Sequence, residues 1–226
     1  LMASGDTVTV PSGAELDIAS GATLDVNGTI DVTGATTTGF PSGGGVAGVQ
    51  VYDSTASPYT WTKSTRESAI GKTINRVLVE VQGGGGGGGT TVSGWGGGGG
   101  GAGGYAMKLI DVSSITTSTV TVGAGGAAGL DGNLSSWADG TNTVSGAAGS
   151  DGENGENPGY GNGGLGGAGT GGDLNIEGMN GNEGLGNAAS GGASRFSGNK
   201  NTVTGSGPNA SATNYGHGGY GASTGG

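Results

Sequence analysis

Short stretches in which apolar and polar residues alternate predict β-strands along the first half of the chain. The clearest is 76–82 (RVLVEVQ), where Val77, Val79 and Val81 lie two residues apart and therefore share one face of a strand. Further strand-like runs lie at residues 49–52, 59–62, 105–112 and 118–122. Residues 64–67 (STRE) fit a capping box before a very short helix, with a polar turn as the alternative. We therefore expect almost no helix.

Residues 4–34 repeat a unit of eight residues. Each unit has a glycine turn and then two apolar residues separated by one polar residue, as in Val8 and Val10 or Leu16 and Ile18. A fixed period predicts stacked units, and two apolar residues are too few to bury a face within one chain. We expect three chains to associate around an axis in a β-repeat shaft resembling a β-helix. A single-chain meander of hairpins is the alternative.

Glycine dominates the chain from residue 83 onward. Eleven of the 61 glycines precede residue 83, so the other 50 fall in the remaining 144 residues. Some are spaced by three: Gly126, Gly129 and Gly132, and Gly149, Gly152 and Gly155. This spacing suits polyproline-II helices packed side by side, because a Cβ facing the neighbour would hold the two backbones apart. We expect a stacked bundle of such segments, with disorder as the alternative.

These patterns predict four parts: a β-repeat shaft at 1–34, a linker at 35–48, a small β-domain at 49–82 and a glycine-rich tip domain at 83–226. The fold class is thus an all-β shaft and small β-domain followed by a polyproline-II-type bundle. Hydrophobic residues make up 31% of the chain, against roughly 45–50% in globular domains, so a conventional core of this size is excluded. The chain begins with Leu1, which is typical of a fragment or a processed piece.

Charge and cysteine content exclude several functions. The formal net charge is −10 and basic residues are not clustered, so nucleic acid is not an expected partner. Cysteine is absent, which excludes disulfides and thiolate metal sites. No apolar run of 18 residues is present, so we expect no membrane insertion.

Candidate chemistry is sparse, and we expect no enzyme. The single histidine, His217, has no assignable nucleophile or orienting partner. Asp151, Glu153 and Glu156 lie in one glycine-rich loop and form a weak calcium candidate without EF-hand spacing. No other cofactor is expected, and solvated loop acids are the alternative interpretation of these carboxylates.

Non-catalytic contacts are a better expectation. Binding residues concentrate on loops held by a rigid scaffold, and aromatic residues and Arg are enriched at binding hot spots. On this basis the candidate receptor contacts are Trp137, Tyr160, Arg195, Phe196, Tyr215, His217 and Tyr220. Filling gaps in the scaffold is the alternative role for each of them.

Several motifs, in order along the chain, resemble the glycine-rich domain of bacteriophage tail-fibre proteins. They are residues 61–63 (WTK), 76–82 running into polyglycine, 103–106 (GGYA), 110–112 (IDV) and 120–126 (VTVGAGG). Residues 6–13 (DTVTVPSG) and 20–28 (SGATLDVNG) are similar to tail-fibre shaft repeats. The later glycine clusters are similar in style to the distal adhesins of T-even-type phages. The resemblance covers roughly residues 4–34 and 59–126.

This resemblance implies a structural virion protein, extracellular in the tail fibre, whose glycine-rich tip binds the host surface without catalysis. Expected partners are two further copies in a homotrimer, other tail or baseplate proteins, and a host-cell surface glycan or outer-membrane protein. Two alternatives stay open: an extracellular glycine-rich filament or matrix protein, and an ice-binding protein of stacked polyproline-II helices. An ice binder would present a regular array of Thr or Ala, whereas the inserts here are irregular.

Overall fold

A computed structural model describes residues 46–53, 56–91, 94–185, 189–197, 216–219 and 221. The chain divides into two compact units, 1–46 and 47–226. The predicted shaft at 1–34 and most of the predicted linker at 35–48 lie outside the described residues. All described strands and the one described helix belong to the second unit.

The described chain is mostly β, with two antiparallel sheets and one short helix, α1 (Lys63–Ile70). The strands are β1 (Tyr59–Thr62), β2 (Arg76–Gln82), β3 (Tyr105–Asp111), β4 (Thr117–Thr121), β5 (Ser135–Ala138), β6 (Thr143–Gly146), β7 (Gly169–Thr170) and β8 (Leu174–Ile176). One sheet has the order β1-β4-β5-β6-β7, and the other has the order β2-β3-β8.

The core lies between the two sheets, which together form a sandwich. Val79 and Val81 are buried on one face of β2, as their alternation predicts. The rings of Trp61 and Trp137 pack against each other with centroids 5.2 Å apart. The complete buried cluster is Trp61, Val79, Val81, Ala106, Ile110, Val112, Val120, Trp137 and Val144. A core of nine residues is small for this unit, so buried side chains stabilise only the end of the unit that contains the two sheets.

Helix α1 is formed without the predicted capping box. Its N-cap residue is Thr62, which makes no side-chain cap hydrogen bond. The Glu67 carboxylate instead accepts a hydrogen bond from the Ile74 backbone N–H at 2.8 Å. The helix ends at Gly71, whose φ of 65° suits glycine. Glu67 therefore fixes the chain beyond the helix.

Seven strand ends lead directly into glycine-rich segments that have no strand hydrogen-bonding pattern of their own. In chain order we label these segments g1 (83–91), g2 (96–104), g3 (122–127), g4 (130–134), g5 (147–155), g6 (161–168), g7 (177–184), g8 (189–193) and g9 (216–219 with 221). Four long hairpins result: β2-g1-g2-β3, β4-g3-g4-β5, β6-g5-g6-β7 and β8-g7-g8.

Each hairpin that has strands on both arms keeps its β register into the glycine segments. In the first, Gln82 pairs with Tyr105, and the amides of g1 then donate to the facing carbonyls of g2: Gly83 to Gly104, Gly86 to Gly101 and Gly89 to Gly98. The third hairpin continues from its Gly146–Gly169 pair in the same way. The strands therefore set the alignment of the segments beyond them.

The period of the hydrogen bonds changes from two residues in the strands to three in these segments. Within g2, Gly98, Gly101 and Gly104 donate to g5; Gly99 and Ala102 donate to g7; Gly100 and Gly103 donate to g9. Successive amides thus point in three directions instead of two. In the described chain g2 exchanges backbone hydrogen bonds with g1, g5, g6, g7, g8 and g9. It is the centre of a layered bundle, and all nine of its residues are buried.

The predicted glycine triplets take part in this pattern. The amides of Gly126 and Gly129 donate to g1 carbonyls, and so do those of Gly149, Gly152 and Gly155. Gly132 donates to Gly149. The three-residue spacing in the sequence is therefore matched by the spacing of the contacts.

The expected small β-domain at 49–82 does not separate from the residues that follow it. Its strand β1 pairs with β4, and its strand β2 pairs with β3. Residues 47–226 form a single compact unit. Position 82/83 thus marks a change from side-chain packing to backbone packing within one unit.

We predict that replacing Gly100 by Ala strongly destabilises the protein. A Cβ at this position would lie 2.1 Å from the carbonyl oxygen of Gly86, and both atoms belong to segments held on several sides. We expect a loss on the order of 3 kcal/mol, which lowers the melting temperature by roughly 6–12 °C.

Gly159→Ala is the matched control, because the nearest heavy atom to its Cβ would lie 3.6 Å away. Thermal melts of the two variants and the parent chain make the comparison. Equal melting temperatures for Gly100→Ala and Gly159→Ala would contradict tight backbone packing around g2.

Candidate functional site

The turns of the hairpins gather at the end of the bundle opposite the sandwich. Each hairpin starts at a strand and runs through glycine segments to its turn, so the turns are the parts farthest from the sheets along each arm. We call residues 90–91, 94–95, 128–131, 153–160 and 183–185 the tip. Backbone bonds from Gly155 to Thr90, from Gly161 to Gly96 and from Gly184 to Gly161 place three of these turns side by side.

An aromatic pair joins two of the turns. The ring of Trp95 meets the ring of Tyr160 edge to face, with centroids 4.9 Å apart. Tyr160 is 38% exposed, Trp95 is half-buried, and Leu185 in the adjacent turn is 65% exposed. These side chains thus expose apolar surface at the tip, where they do not contribute to the buried core.

Polar side chains fix the turns that carry this pair. The Asn154 side-chain oxygen accepts two hydrogen bonds of 2.7 Å from Thr90, one from its amide and one from its hydroxyl. The Glu156 amide donates to the Gly159 carbonyl across the following turn at 2.9 Å. The two rings are therefore held by backbone that is itself bonded, which limits the freedom lost on binding.

The charge at the tip is of one sign. Its acidic residues are Asp131, Glu153, Glu156 and Glu183. All described Lys and Arg residues lie outside it, namely Lys63, Arg66, Lys72, Arg76, Lys108 and Arg195. Among the residues that the structure describes, the tip combines aromatic rings, carboxylates and amides with no cation.

Two carboxylates face each other on the side of the bundle. The Asp131 carboxylate accepts a hydrogen bond of 2.8 Å from the Asp151 amide. Burial raises the pKa of Asp151, and the side chain of Asp131 raises it further through a hydrogen bond and through its charge. The charge of Glu153 acts in the same direction. This contact is therefore less favourable at neutral pH than in acid.

Trp137, one of the predicted contact residues, is a core residue. Its side chain is 5% exposed and packs on Trp61, and its indole N–H donates to Asp139 at 3.2 Å. A surface contact role does not fit this position. Residues 135–138 form a strand that pairs with β4 and β6, a tertiary arrangement that the surrounding glycines conceal in the sequence.

His217 is also buried, at 7% exposure, so the predicted receptor-contact role does not fit it. Its Nδ1 lies 2.8 Å from the Gly218 carbonyl oxygen, which can only accept, so this nitrogen carries the proton. It belongs to g9, which packs against g1, g2 and g8. Tyr215 and Tyr220, predicted with it, lie outside the described residues.

Arg195 and Phe196 are exposed, but they lie at the sandwich end. Phe196 meets the ring of Tyr105 edge to face at 5.4 Å, and the Arg195 guanidinium lies 5.9 Å from the centre of the Tyr105 ring. Burial, together with a hydrogen bond to Glu80 and the charge of Glu80, raises the pKa of Tyr105 to about 12. Arg195 and Phe196 therefore connect the turn after g8 to β3, and they do not lie beside Tyr160 at the tip.

The three candidate calcium ligands do not converge on one point. The Glu153 carboxylate accepts a hydrogen bond from the Asn162 side chain at 2.7 Å, whereas Asp151 contacts Asp131 on another side of g5. Within the described ranges, no group of three or more acidic, histidine or cysteine side chains is arranged to hold a metal ion.

Trp95 is the tip residue that sequence reasoning missed. The signal was a lone tryptophan between two glycine runs, 83–89 and 96–101. In such a context an aromatic side chain has no local core to join, so it belongs at a turn. The longer polar inserts, with their more numerous aromatic residues, concealed this signal.

Neither of two comparisons identifies a relative. No protein-family model matches this chain, and no curated protein sequence matches it. In the described part of the chain, α1 has eight residues and no helix has the length and apolar character to cross a membrane.

We predict that Asp131→Asn makes the protein more stable at neutral pH. The raised pKa of Asp151 means that its contribution to stability is present below its ordinary value of 3.8 and is lost as the pH rises through the folded-state value. The substituted side-chain amide keeps an oxygen that can accept from the Asp151 backbone N–H and removes the opposing charge. The variant should therefore lose less stability over this pH interval.

Melting temperatures measured from pH 3.5 to 7 test this. The difference between Asp131→Asn and the parent should grow as the pH rises and vanish at the acid end. Glu183→Gln, which removes an exposed charge elsewhere on the tip, is the control. A constant difference across the whole range would count against repulsion between Asp131 and Asp151.

Proposed function

We propose that this chain is the host-attaching part of a bacteriophage tail fibre and that its glycine-rich tip binds a surface receptor without catalysis. The observation that carries the proposal is a scaffold of bonded glycine segments that holds exposed turns together at the end opposite the sheets. Exposed loops on a rigid scaffold are a common arrangement for recognition. The motifs at 59–126 that resemble tail-fibre glycine-rich domains support the same proposal.

Part of the proposal concerns the conformation of g1 to g9, which we assign to the polyproline-II type. A polyproline-II helix has three residues per turn and no internal hydrogen bonds. The three-residue period of the hydrogen bonds in g2, all made to other segments, supports this assignment. A Cβ on Gly97, Gly98, Gly99, Gly100, Gly101, Gly103 or Gly104 would lie within 2.3 Å of a backbone atom, and the one other residue type in g2 is alanine, at Ala102.

The assembly is a further part of the proposal. The eight-residue repeats at 4–34 have too little apolar surface to fold alone, which supports a homotrimeric shaft. Three copies would present three tips to one cell, so weak contacts would add through effective concentration. Other tail or baseplate proteins would attach to this assembly, and its location would be the virion, outside the cell.

We predict that the fluorescently labelled full chain decorates a restricted set of bacterial strains. Flow cytometry across Gram-negative and Gram-positive strains measures this, with heat-denatured protein as the control. Cross-linking of the native chain tests the trimer in the same preparation. A chain that binds no strain but forms fibres would favour the filament alternative, and thermal hysteresis in ice would favour the ice binder.

We predict that amide hydrogens of g2 exchange as slowly as those of β3. The reason is that residues 98–104 of g2 are buried and their amides donate hydrogen bonds, although g2 is not a strand. Hydrogen exchange followed by mass spectrometry measures the two segments together, and circular dichroism tests for a polyproline-II spectrum with a cooperative melt. Rapid exchange in g2 beside slow exchange in β3 would contradict an ordered bundle.

A further inference from the structure

The Trp95–Tyr160 pair at the tip has the geometry and the surroundings of a ligand-binding subsite. From the ring geometry and the surrounding charge, we infer that Trp95 and Tyr160, with Glu156 beside them, form a subsite for an uncharged, hydroxyl-rich sugar residue of a surface glycan. This inference rests on the proposed function and deepens it, because it names the chemical class of the receptor and the residues that touch it.

The Trp95–Tyr160 pair and the polar residues in the turn before Tyr160 have the chemistry that binding a sugar ring requires. A pyranose has an apolar C–H face that packs on an aromatic ring, and hydroxyls at its rim that both donate and accept hydrogen bonds. Tyr160 offers an exposed ring, and Glu156 and Asn157 lie in the turn before it, exposed to solvent. A carboxylate accepts and an amide does both, so these groups can satisfy hydroxyls around a sugar stacked on the ring.

The backbone brings Glu156 and Trp95 together. A Cβ on Gly155 would lie 2.2 Å from the Trp95 carbonyl oxygen, so the chain just before Glu156 runs directly against Trp95. The Glu156–Gly159 bond closes the turn that ends at Tyr160. Both rings and the backbone of Glu156 thus lie at one corner of the tip.

The charge of the tip argues against anionic receptors. Glu153 and Glu156 lie in the same turn segment as Tyr160, Glu183 lies in the adjacent turn, and no described Lys or Arg lies in the tip. A phosphorylated or uronic-acid sugar would bring like charges together, which costs affinity and serves as a device of specificity. A neutral glycan avoids this cost.

The size of the corner argues against a folded protein as its partner. A stable protein interface uses roughly 20–30 residues on each side. Among the described tip residues, the large apolar side chains that reach solvent are Tyr160, part of Trp95, Leu130 and Leu185. Such an area suits one or two sugar rings per tip, and repetition of tips would supply the remaining affinity.

The three tryptophans provide a direct test. The full chain is labelled with nitrogen-15, and its indole signals are assigned with single Trp→Phe variants. Polysaccharide is extracted from a strain that the chain decorates and is separated by anion exchange into neutral and anionic fractions. We expect the neutral fraction to shift the Trp95 signal, while those of Trp61 and Trp137, both 5% exposed, stay in place.

Matched variants test the residues. Tyr160→Ala should weaken binding of the neutral fraction by about tenfold or more, whereas Leu78→Ala, which removes an exposed apolar side chain of β2 at the sandwich end, should leave it unchanged. Glu156→Lys should gain binding to the anionic fraction. Glu177→Lys, at the sandwich end of g7, is its control, and melting curves verify the fold of each variant.

The outcomes separate this inference from the proposed function. Decoration lost after periodate oxidation of the cells but retained after protease treatment supports a glycan, and the reverse overturns it in favour of a protein receptor. Decoration with the Trp95 signal unmoved by both fractions, or equal binding by Tyr160→Ala and Leu78→Ala, overturns the subsite and leaves attachment standing. Failure to decorate any strain overturns both.

Discussion

A Cβ on Gly100 would meet the carbonyl oxygen of Gly86 at 2.1 Å, and one on Gly101 would meet the carbonyl oxygen of Leu165 at 2.0 Å. The glycine segments g1, g2 and g6 pack through backbone atoms that occupy the space a side chain would normally fill. Three-residue periodicity makes the approach necessary on several sides at once, because successive amides point to different neighbours. Glycine is therefore required by the direction of the hydrogen bonds as well as by the space between the segments.

The bundle depends on the sandwich for its alignment. A backbone hydrogen bond contributes a net 0.5–1.5 kcal/mol or so, while ordering the backbone of one residue costs roughly 1–2 kcal/mol, and more for glycine than for other residues. These magnitudes are close, so an isolated glycine segment gains little by bonding. Strand pairs such as Gln82 with Tyr105 supply the missing specificity, since they set the register that g1 and g2 continue. A small core thereby organises a much longer stretch of chain.

The sequence predicted those parts of the fold in which the spacing of residues along the chain determines their burial or their hydrogen bonding. The buried face of Val79 and Val81 follows from alternation, and the bonding of Gly149, Gly152 and Gly155 follows from their spacing. Strands β5 to β8 were missed because they have two to four residues each, too short for a period to emerge among glycines. Their pairing partners are set by hairpin register, which only the folded chain reveals.

Aromatic residues were harder to place than glycines, for a related reason. Trp137 and Trp95 both stand near glycines in the sequence, yet one is in the core and the other is at a turn. The difference lies in the neighbouring register: Trp137 faces Val120 and Val144 across two strand pairs, whereas Trp95 follows a segment whose neighbours are all backbone. Backbone atoms fill most of the space between the segments, so the bundle has little room for large rings. The buried imidazole of His217 in g9 is an exception, whereas Trp95 and Tyr160 both lie at turns. The scaffold that leaves so little room for side chains in its interior therefore displays those that its turns carry.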